Sequence, residues 1–300
     1  MLYENVLLDW WESYYRRLVD GSVTRKEHII YRHIIPALGA YDITDITEDV
    51  LYQYAKYKSK NGSLQNGRGL SASSVRNHFN IIRPSLRYAI ARGHITDDPS
   101  EYIRLPRSRA IIMPFTADEV SRMIALAEPA YMADVITLAY RTGMRREEIF
   151  GLTVRDVDYS HNFLMVRHAC TEDYPGKIQI GPPKTPASKR RIDLDNICMD
   201  ILRRRQGAPS DYIFRDDTGT LLSPWYCSVH FKRIRNKAGI SRGRFHDLRH
   251  SHATILLANG VPPHVVKERL GHTSIRMTID TYSYVWPTMQ RMAVDVLNTI

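Results

Sequence analysis

The chain has 300 residues, of which 43% are hydrophobic and 25% charged, as in a soluble globular protein long enough for two domains. No run of about 18 apolar residues occurs, and the N-terminus carries acids and tryptophans, which argues against a membrane span and a signal peptide. Cys170, Cys198 and Cys227 form no C-x-x-C pair, so we expect a cytoplasmic protein without disulfides or a cysteine zinc site.

The net charge of +10 is unevenly distributed along the chain. Residues 51–100 carry +6 and residues 201–250 carry +7, whereas residues 1–50 carry −4 and the other blocks of fifty carry 0, 0 and +1. Two separated basic regions suggest a polyanion held from two sides, for which nucleic acid is the first candidate. Charge alone also fits two solvated basic faces, so this observation leaves both explanations open.

Residues 1–103 predict four helices and no strand, and therefore a small all-helical domain. The third helix begins at Thr47, a good N-cap, and the fourth ends before Gly93. The predicted helices cover residues 2–20, 24 to between 36 and 39, 47–61, and 71 or 73 to 92. Residues 63–71 form a loop by composition.

Residues 104–115, RLPRSRAIIMPF, combine two prolines with three arginines and have no clear period. We expect an extended basic linker here, of a kind that suits a two-domain clamp around DNA, although an ordinary loop has the same composition. A second domain then covers residues 116–300.

The second domain is predicted to be mainly α-helical with one small sheet. Thr116-x-x-Glu119 is a capping-box pattern that opens its first helix. Further helices are predicted at 130–141, 145–152, 196–205, 223–238, 246–258, 262–269, about 274–284, and 287–298. Short β-rich runs at 163–168, 177–180 and 190–194 predict a three-stranded antiparallel sheet.

Several polar residues of this domain occupy unusual places. Arg145 stands at the first turn of a helix after a Thr-Gly turn, with Glu148 three residues further on the same face. Lys184 lies in a predicted β-turn, and His246 and Arg249 lie one turn apart at a helix start. A surface ion pair, a solvated turn lysine and helix-capping histidines would explain each of these features separately.

Taken together, T-G-x-R-x-x-E, a turn lysine, H-x-L-R-H-S-x-A-T, L-G-H and a tyrosine have the order and spacing of the tyrosine recombinase (phage integrase) family. The resemblance covers about residues 115–285 by motif. The helical first domain is similar to the family's SAM-like core-binding domain. The resemblance implies a mainly α fold with a small antiparallel sheet, in which a core-binding domain precedes the catalytic domain.

The resemblance also implies a metal-free and cofactor-free site. Its candidate catalytic residues are Arg145, Lys184, His246, Arg249, His272 and Tyr282, with Glu148 in support. Arginine forks and imidazole donors would take the charge that builds on a phosphodiester during in-line attack. Lys184 would protonate the leaving 5′ oxygen, His246 would act as acid or base, and Glu148 would orient Arg145 or His246.

The stretch LGHTSIRMTIDTYSYV offers two tyrosines, Tyr282 and Tyr284. Side chains two residues apart on a helix point in directions that differ by about 200°, so Tyr282 and Tyr284 cannot both face one phosphate. The family places its nucleophile nine or ten residues after the L-G-H histidine, which favours Tyr282, ten after His272. Tyr284 falls where the family commonly has histidine and is expected to be a packing or substrate-side residue. His252 is expected to be a core or helix-face histidine.

The family's partners are double-stranded recombination sites, a homotetramer on DNA and, in some members, an accessory directionality factor; no membrane is involved. The terminal helix, with Met289, Met292, Val296 and Leu297, would dock on a neighbouring protomer or pack on its own chain. The candidate DNA contacts are Arg76, Arg83, Arg107, Arg109, Lys189 and Arg244.

Three alternatives remain at this stage. His246-Asp247-x-x-His250 resembles a zinc hydrolase pattern, but aspartate is too short for the general base and the motif leaves Arg145 and Tyr282 unexplained. A non-catalytic DNA-binding relative is the second. Within the family, the I-D-T-Y variant favours integration or excision of a mobile element. The size of the chain, with the arm-binding domain absent or removed, instead resembles that of Xer-type recombinases, which resolve chromosome dimers.

Overall fold

The computed structural model describes residues 1–15, 23–105, 113–173, 176–183 and 185–276, with positions 279, 294 and 298. The chain divides into two compact units, Met1–Ala110 and Ile111–Ile300. The predicted linker 104–115 contains this division, but residues 106–112 lie outside the described ranges, so its extended basic character stays a prediction. No helix in the described ranges is long and apolar enough to cross a membrane.

The first unit is helical, and its helices lie close to the predicted positions, whereas the predicted end of the first helix, at residue 20, lies outside the described residues. The α-helices are α1 (Tyr3–Trp10), α2 (Val23–Ile29), α3 (Ile35–Leu38), α4 (Glu48–Asn61) and α5 (Ala72–Ala91). Wide π-type turns extend α1 and join α2 to α3. The hydroxyl groups of Thr47 and Ser71 accept backbone N–H bonds that α4 and α5 leave unpaired at their first turns.

One apolar cluster holds the first unit together. It comprises the inner faces of α1, α4 and α5 and includes the fully buried Trp11, Phe79 and Leu51. Tyr3 and Ser85 share a hydrogen bond of 2.8 Å inside it, which pairs two polar groups that burial would otherwise leave unsatisfied. The predicted all-helical first domain is therefore confirmed.

The second unit contains seven described helices, α6 to α12. They are α6 (Ala117–Ala125), α7 (Tyr131–Thr142), α8 (Arg146–Phe150), α9 (Asn196–Arg204), α10 (Pro224–Lys237), α11 (Asp247–Ala258) and α12 (Pro263–Leu270). The predicted capping box at Thr116 and Glu119 is confirmed, with reciprocal hydrogen bonds of 3.2 and 2.9 Å. The predicted helices at 274–284 and 287–298 lie almost wholly outside the described residues.

The predicted sheet of 163–168, 177–180 and 190–194 was wrong, because these three runs do not belong to one sheet. The strands are β1 (Val157–Asp158), β2 (Phe163–Val166), β3 (Ala169–Asp173), β4 (Lys177–Gly181) and β5 (Arg190–Asp193). They form an antiparallel sheet in the order β1-β2-β5 and a separate antiparallel pair, β3-β4. The run KIQI therefore pairs with the unpredicted strand ACTED, because a short β-rich run does not specify its partner.

The register of β2 and β5 decides which side chains face the core. Leu164 lies opposite Ile192, and Val166 lies opposite Arg190. Leu164, Val166 and Ile192 are buried in the main cluster of the second unit, and Arg190 points to the same side because strand residues two apart share a face. The first residue of β5 thus carries a guanidinium group inward.

Candidate active site

Arg145 is positioned by the turn between α7 and α8. Gly143 ends α7 with φ +68°, a left-handed conformation that favours glycine, and Arg145 is the N-cap residue of α8. Its Nη1 donates to Oε1 of Glu148 at 2.6 Å, and its backbone N–H donates to Oε2 at 2.9 Å. The predicted pair of Arg145 and Glu148 is confirmed. The side chain of Arg145 remains 31% exposed, so part of its guanidinium faces solvent.

Arg190 is the residue that the sequence analysis missed. Its Nη1 and Nη2 donate to Oε1 and Oε2 of Glu148 at 3.1 and 2.9 Å, a bidentate pair in which both side chains are almost completely buried. Burial by itself raises the pKa of Glu148, but the hydrogen bonds and charge of Arg190, with the charge of Arg145, lower it below its ordinary value. Glu148 is therefore a carboxylate shared by two arginines.

Arg249 joins two motifs that lie far apart in sequence. It is buried in the first turn of α11, where its Nη1 donates to the carbonyl of Gly143 and its Nη2 to the carbonyl of Leu270, both at 2.6 Å. The first carbonyl lies at the end of α7, two residues before Arg145. The second carbonyl belongs to the last residue of α12, two residues before His272.

The last turn of α12 gathers all three guanidinium groups. The carbonyl of Arg269 accepts from Nε of Arg190 at 2.6 Å, that of Leu270 from Arg249, and that of Gly271 from Nη2 of Arg145 at 3.5 Å. Carbonyls at a helix C-terminus have no partner inside the helix and carry a partial negative charge, so cations are favoured there.

His272 follows directly on this turn. Gly271 has φ +66°, and a Cβ there would lie 2.8 Å from the carbonyl oxygen of Ala187, so glycine is required on both counts. His272 is 8% exposed. Burial, followed by the charges of Arg249 and Arg145, lowers its pKa to about 3. The imidazole is therefore neutral at pH 7 and can donate one N–H.

His246 lies at the start of α11, and its ring centroid is 5.1 Å from that of His250, edge to face. Desolvation, then the charges of His250, Arg249 and Arg145, lower the pKa of His246 to about 4. Neutral at pH 7, this imidazole can accept a proton from a group bound beside the arginines.

His252 and Arg269 form a buried layer that packs behind the site. Nδ1 of His252 lies 2.9 Å from the carbonyl of Tyr140, and Nε2 accepts from Nε of Arg269 at 3.0 Å. These partners require the neutral ring to carry its proton on Nδ1. His252 is 6% exposed, so its predicted place in the core is confirmed. Arg269 also donates to the carbonyls of Asp193 and Arg141, at 3.0 and 3.2 Å.

The zinc-hydrolase pattern has another explanation in the structure. Asp247 accepts a hydrogen bond from the backbone N–H of Arg244 at 2.6 Å, as an acid near a helix N-terminus commonly does. Within the described ranges, no three His, Cys, Asp or Glu side chains are grouped as metal ligands. Two guanidinium groups on the buried carboxylate of Glu148, with that of Arg249 held nearby by the last turn of α12, are instead suited to a phosphate group.

Some predicted residues cannot be placed in this arrangement. Lys184, Tyr282 and Tyr284 lie outside the described residues, as do Arg107 and Arg109. Of the other candidate DNA contacts, Arg76, Lys189 and Arg244 are exposed. Arg83 differs, because its Nη2 donates to the carbonyls of Ser100 and Ile103 at 3.3 and 2.8 Å within the first unit.

Comparison with known proteins gives matches over both units. The phage integrase family matches residues 114–287, and the phage integrase N-terminal SAM-like domain matches residues 3–59. A relative named tyrosine recombinase XerC-like, from Caldanaerobacter subterraneus subsp. tengcongensis, is 24% identical over 78% of this chain and 68% of its own length. The ICEBs1 integrase of Bacillus subtilis is 26% identical over 92% of this chain and 77% of its own.

Two solved structures have a similar fold. The Tn1549 transposon integrase in complex with a circular intermediate DNA has a TM-score of 0.82 and 19% identity, over 97% of this chain and 99% of that one. A lambda integrase tetramer bound to a Holliday junction has a TM-score of 0.70 and 22% identity, over 94% of this chain and 77% of that one. At these identities the likeness concerns the fold.

Proposed function

Because the chain belongs to the phage integrase family, we propose that it is a site-specific recombinase that cleaves and rejoins DNA through a 3′-phosphotyrosyl intermediate. The observation that carries this proposal is the convergence of Arg145, Arg249 and His272 beside one turn of α12. These are the side chains that the family's motifs assign to the scissile phosphate. Their donors are those that a metal-free phosphoryl transfer requires.

Double-stranded DNA is the proposed substrate. The net charge of +10 favours a polyanion, and solved structures of similar fold contain integrases bound to DNA. Exposed Arg76, Lys189 and Arg244 are candidate contacts to its backbone.

In the proposed cleavage step, the phenolic oxygen of Tyr282 attacks the scissile phosphorus. The O–P bond to tyrosine forms as the bond to the 5′ oxygen breaks. His246 accepts the phenolic proton, and Lys184 gives a proton to the leaving 5′ oxygen. Rejoining reverses these transfers with a 5′-hydroxyl as nucleophile. One phosphodiester is exchanged for another, so no ATP is consumed.

The arginines and His272 stabilise the charge that builds on the non-bridging oxygens. The exposed part of Arg145 supplies a charged fork, and the low pKa of His272 leaves a neutral N–H donor. Glu148 holds Arg145 in place through the two bonds at its N-cap. Catalysis by such preorganised donors contributes on the order of 10²–10³ in rate for each donor.

We place the reaction in the integration or excision of a mobile element. The I-D-T-Y sequence that ends at Tyr282 supports this role, whereas match length does not distinguish it from Xer-like resolution, because the ICEBs1 integrase matches 92% of the chain and a relative named tyrosine recombinase XerC 2 matches 93%. Xer-like chromosome-dimer or plasmid resolution is the alternative. Sequencing the DNA ends that the protein joins in its host separates the two, since element ends support the first and a single chromosomal or plasmid site the second.

The active species is proposed to be a homotetramer on DNA, as in the lambda integrase tetramer on a Holliday junction. An accessory directionality factor would then bias integration against excision. The terminal segment beginning at Met289 is the proposed link between protomers.

A nicked suicide duplex that carries the joined-end sequence tests the mechanism. The wild-type protein is expected to form a covalent adduct that survives denaturation and the presence of EDTA. Tyr282→Phe is expected to abolish the adduct, and Tyr284→Phe is the matched control that retains it. Loss of the adduct in Tyr284→Phe alone would show that Tyr284 is the nucleophile. Activity that requires a metal and leaves no adduct would favour a hydrolase.

A further inference from the structure

Arg190 has more hydrogen bonds to the site than any role in the sheet requires. Besides its bidentate pair with Glu148, its Nε donates to the carbonyl of Arg269 at 2.6 Å and its Nη1 to the carbonyl of Ser188 at 3.0 Å. The side chain is 6% exposed, so it does not face solvent. It connects β5 to α8 and to the last turn of α12.

The charges around Glu148 explain why a second arginine is needed. Glu148 is 2% exposed, and a buried carboxylate requires a compensating charge. Arg145 contributes one donor from its side chain and one from its backbone, and Arg190 contributes both ends of its fork. Without Arg190, the whole countercharge for Glu148 would come from Arg145, and that pair would be neutral.

We propose that Arg190 is a positioning residue that neutralises Glu148, so that Arg145 keeps its positive charge for the scissile phosphate. This inference rests on the proposed recombinase function, in which Arg145 contacts that phosphate. With Arg190 present, two guanidinium groups and one carboxylate leave a net charge of +1 beside the reacting group. The same carboxylate orients Arg145 without cancelling it.

The neighbouring Arg191 provides a matched control. It points to the opposite side of β5, is 54% exposed, pairs with Asp193 at 2.7 Å and lies 3.9 Å from the centroid of the Phe163 ring. A substitution there removes the same charge from the same strand without touching Glu148. Any effect that appears with Arg190→Met and not with Arg191→Met therefore belongs to the buried pair.

The test measures the single-turnover rate of adduct formation on the nicked suicide duplex. Arg190→Met is expected to lower this rate about 100-fold, close to the loss of one preorganised donor, while Arg191→Met stays within about 2-fold of wild type. Arg190→Lys keeps the charge but loses the fork, so an intermediate loss of about 10-fold is expected.

The double variant Glu148→Gln with Arg190→Met separates charge from structure. It restores the net +1 beside the phosphate with a neutral pair of similar size, so its rate is expected to exceed that of Arg190→Met by about 10-fold or more. Thermal unfolding of both variants shows whether each is folded at the assay temperature.

A pH profile gives a second readout. In Arg190→Met, Glu148 keeps the burial that raises its pKa and loses the hydrogen bonds and charge of Arg190 that lower it. Protonation of Glu148 then also restores the net +1, so the rate relative to wild type is expected to rise as the pH falls. The double variant has no carboxyl group at this position, and its ratio to wild type is expected to stay flat. If Arg190 had a purely structural role, the rate of neither variant relative to wild type would change with pH.

Two results would overturn the inference alone. These are an Arg190→Met variant as fast as wild type, or a folded double variant no faster than Arg190→Met with flat pH ratios. Wild-type protein that forms no adduct would instead overturn the proposed function, and this inference with it.

Discussion

The turn at Gly143 offers a sharp test of how the site is built. Its φ of +68° favours glycine, and its carbonyl accepts the 2.6 Å bond from Arg249. A Cβ at this position would lie 2.7 Å from Cδ2 of the His252 ring and 2.7 Å from Cδ2 of Leu270. Gly143→Ala therefore strains the backbone and also pushes apart the layer that supports the arginines.

The two costs can be separated with Gly239. This residue ends α10 with φ +76°, and a Cβ there would meet no heavy atom within 4 Å. Gly239→Ala is expected to cost only the backbone strain of the left-handed region, about 1–2 kcal/mol. Gly143→Ala is expected to cost the same strain with a further 1–3 kcal/mol or so for overpacking.

Calorimetry of the full chain measures this difference. For a unit of this size, each kcal/mol lowers Tm by about 2–4 °C, so Gly143→Ala is expected to unfold about 2 °C or more below Gly239→Ala. Adduct formation is expected to fall in Gly143→Ala, because the strained turn displaces the carbonyl that holds Arg249, and to be unchanged in Gly239→Ala. Equal Tm shifts in the two variants would show that the contacts with His252 and Leu270 do not constrain the turn.

Two further predictions concern other parts of the chain. His78 is 3% exposed, and burial, with the charges of His33 and Lys58, lowers its pKa from the ordinary 6.5 to about 3. Between pH 6.5 and 3 the unfolded chain binds a proton on His78 and the folded chain does not. The free energy of unfolding of the first unit is therefore expected to fall by about 1.4 kcal/mol for each unit by which the pH is lowered in this range. Unfolding measured at pH 7.5 to 5 checks this loss, and a slope unchanged in His78→Gln would contradict it. Truncation before Met289 is expected to weaken the tetramer on DNA, as seen by sedimentation of the complex; unchanged assembly would refute the proposed link between protomers.

Local signals predicted the helices well. Thr47, Ser71 and the Thr116 capping box stand where the helices begin, because a cap is a property of a few adjacent residues. The strands were harder. β3, with the sequence ACTED, has neither an apolar run nor alternation, and its pairing with β4 depends on the chain geometry around it.

The site was predicted only in part, and Arg190 shows why. It lies in the basic run KRR after a turn, where a lysine or arginine is usually solvated. Nevertheless, a signal was present. Ile192 must face the core, so Arg190, two residues earlier on the same strand, must point inward as well. A buried arginine requires an acid, and Glu148 was already assigned to Arg145. The shared carboxylate could be found only once β5 was placed beside α8.

The last turn of α12 explains how so many cations lie together without a matching number of acids. Acids placed beside each arginine would hold them in position but would cancel the charge that a phosphate needs. The carbonyls of Arg269, Leu270 and Gly271 instead hold three guanidinium groups with the partial charge of a helix end, about half an elementary charge in all. Among the described residues, Glu148 is the acid that pairs with Arg145, and Arg190 balances its charge. The L-G-H motif therefore does more than supply His272, because the helix end before it orders the arginines and leaves their charge available.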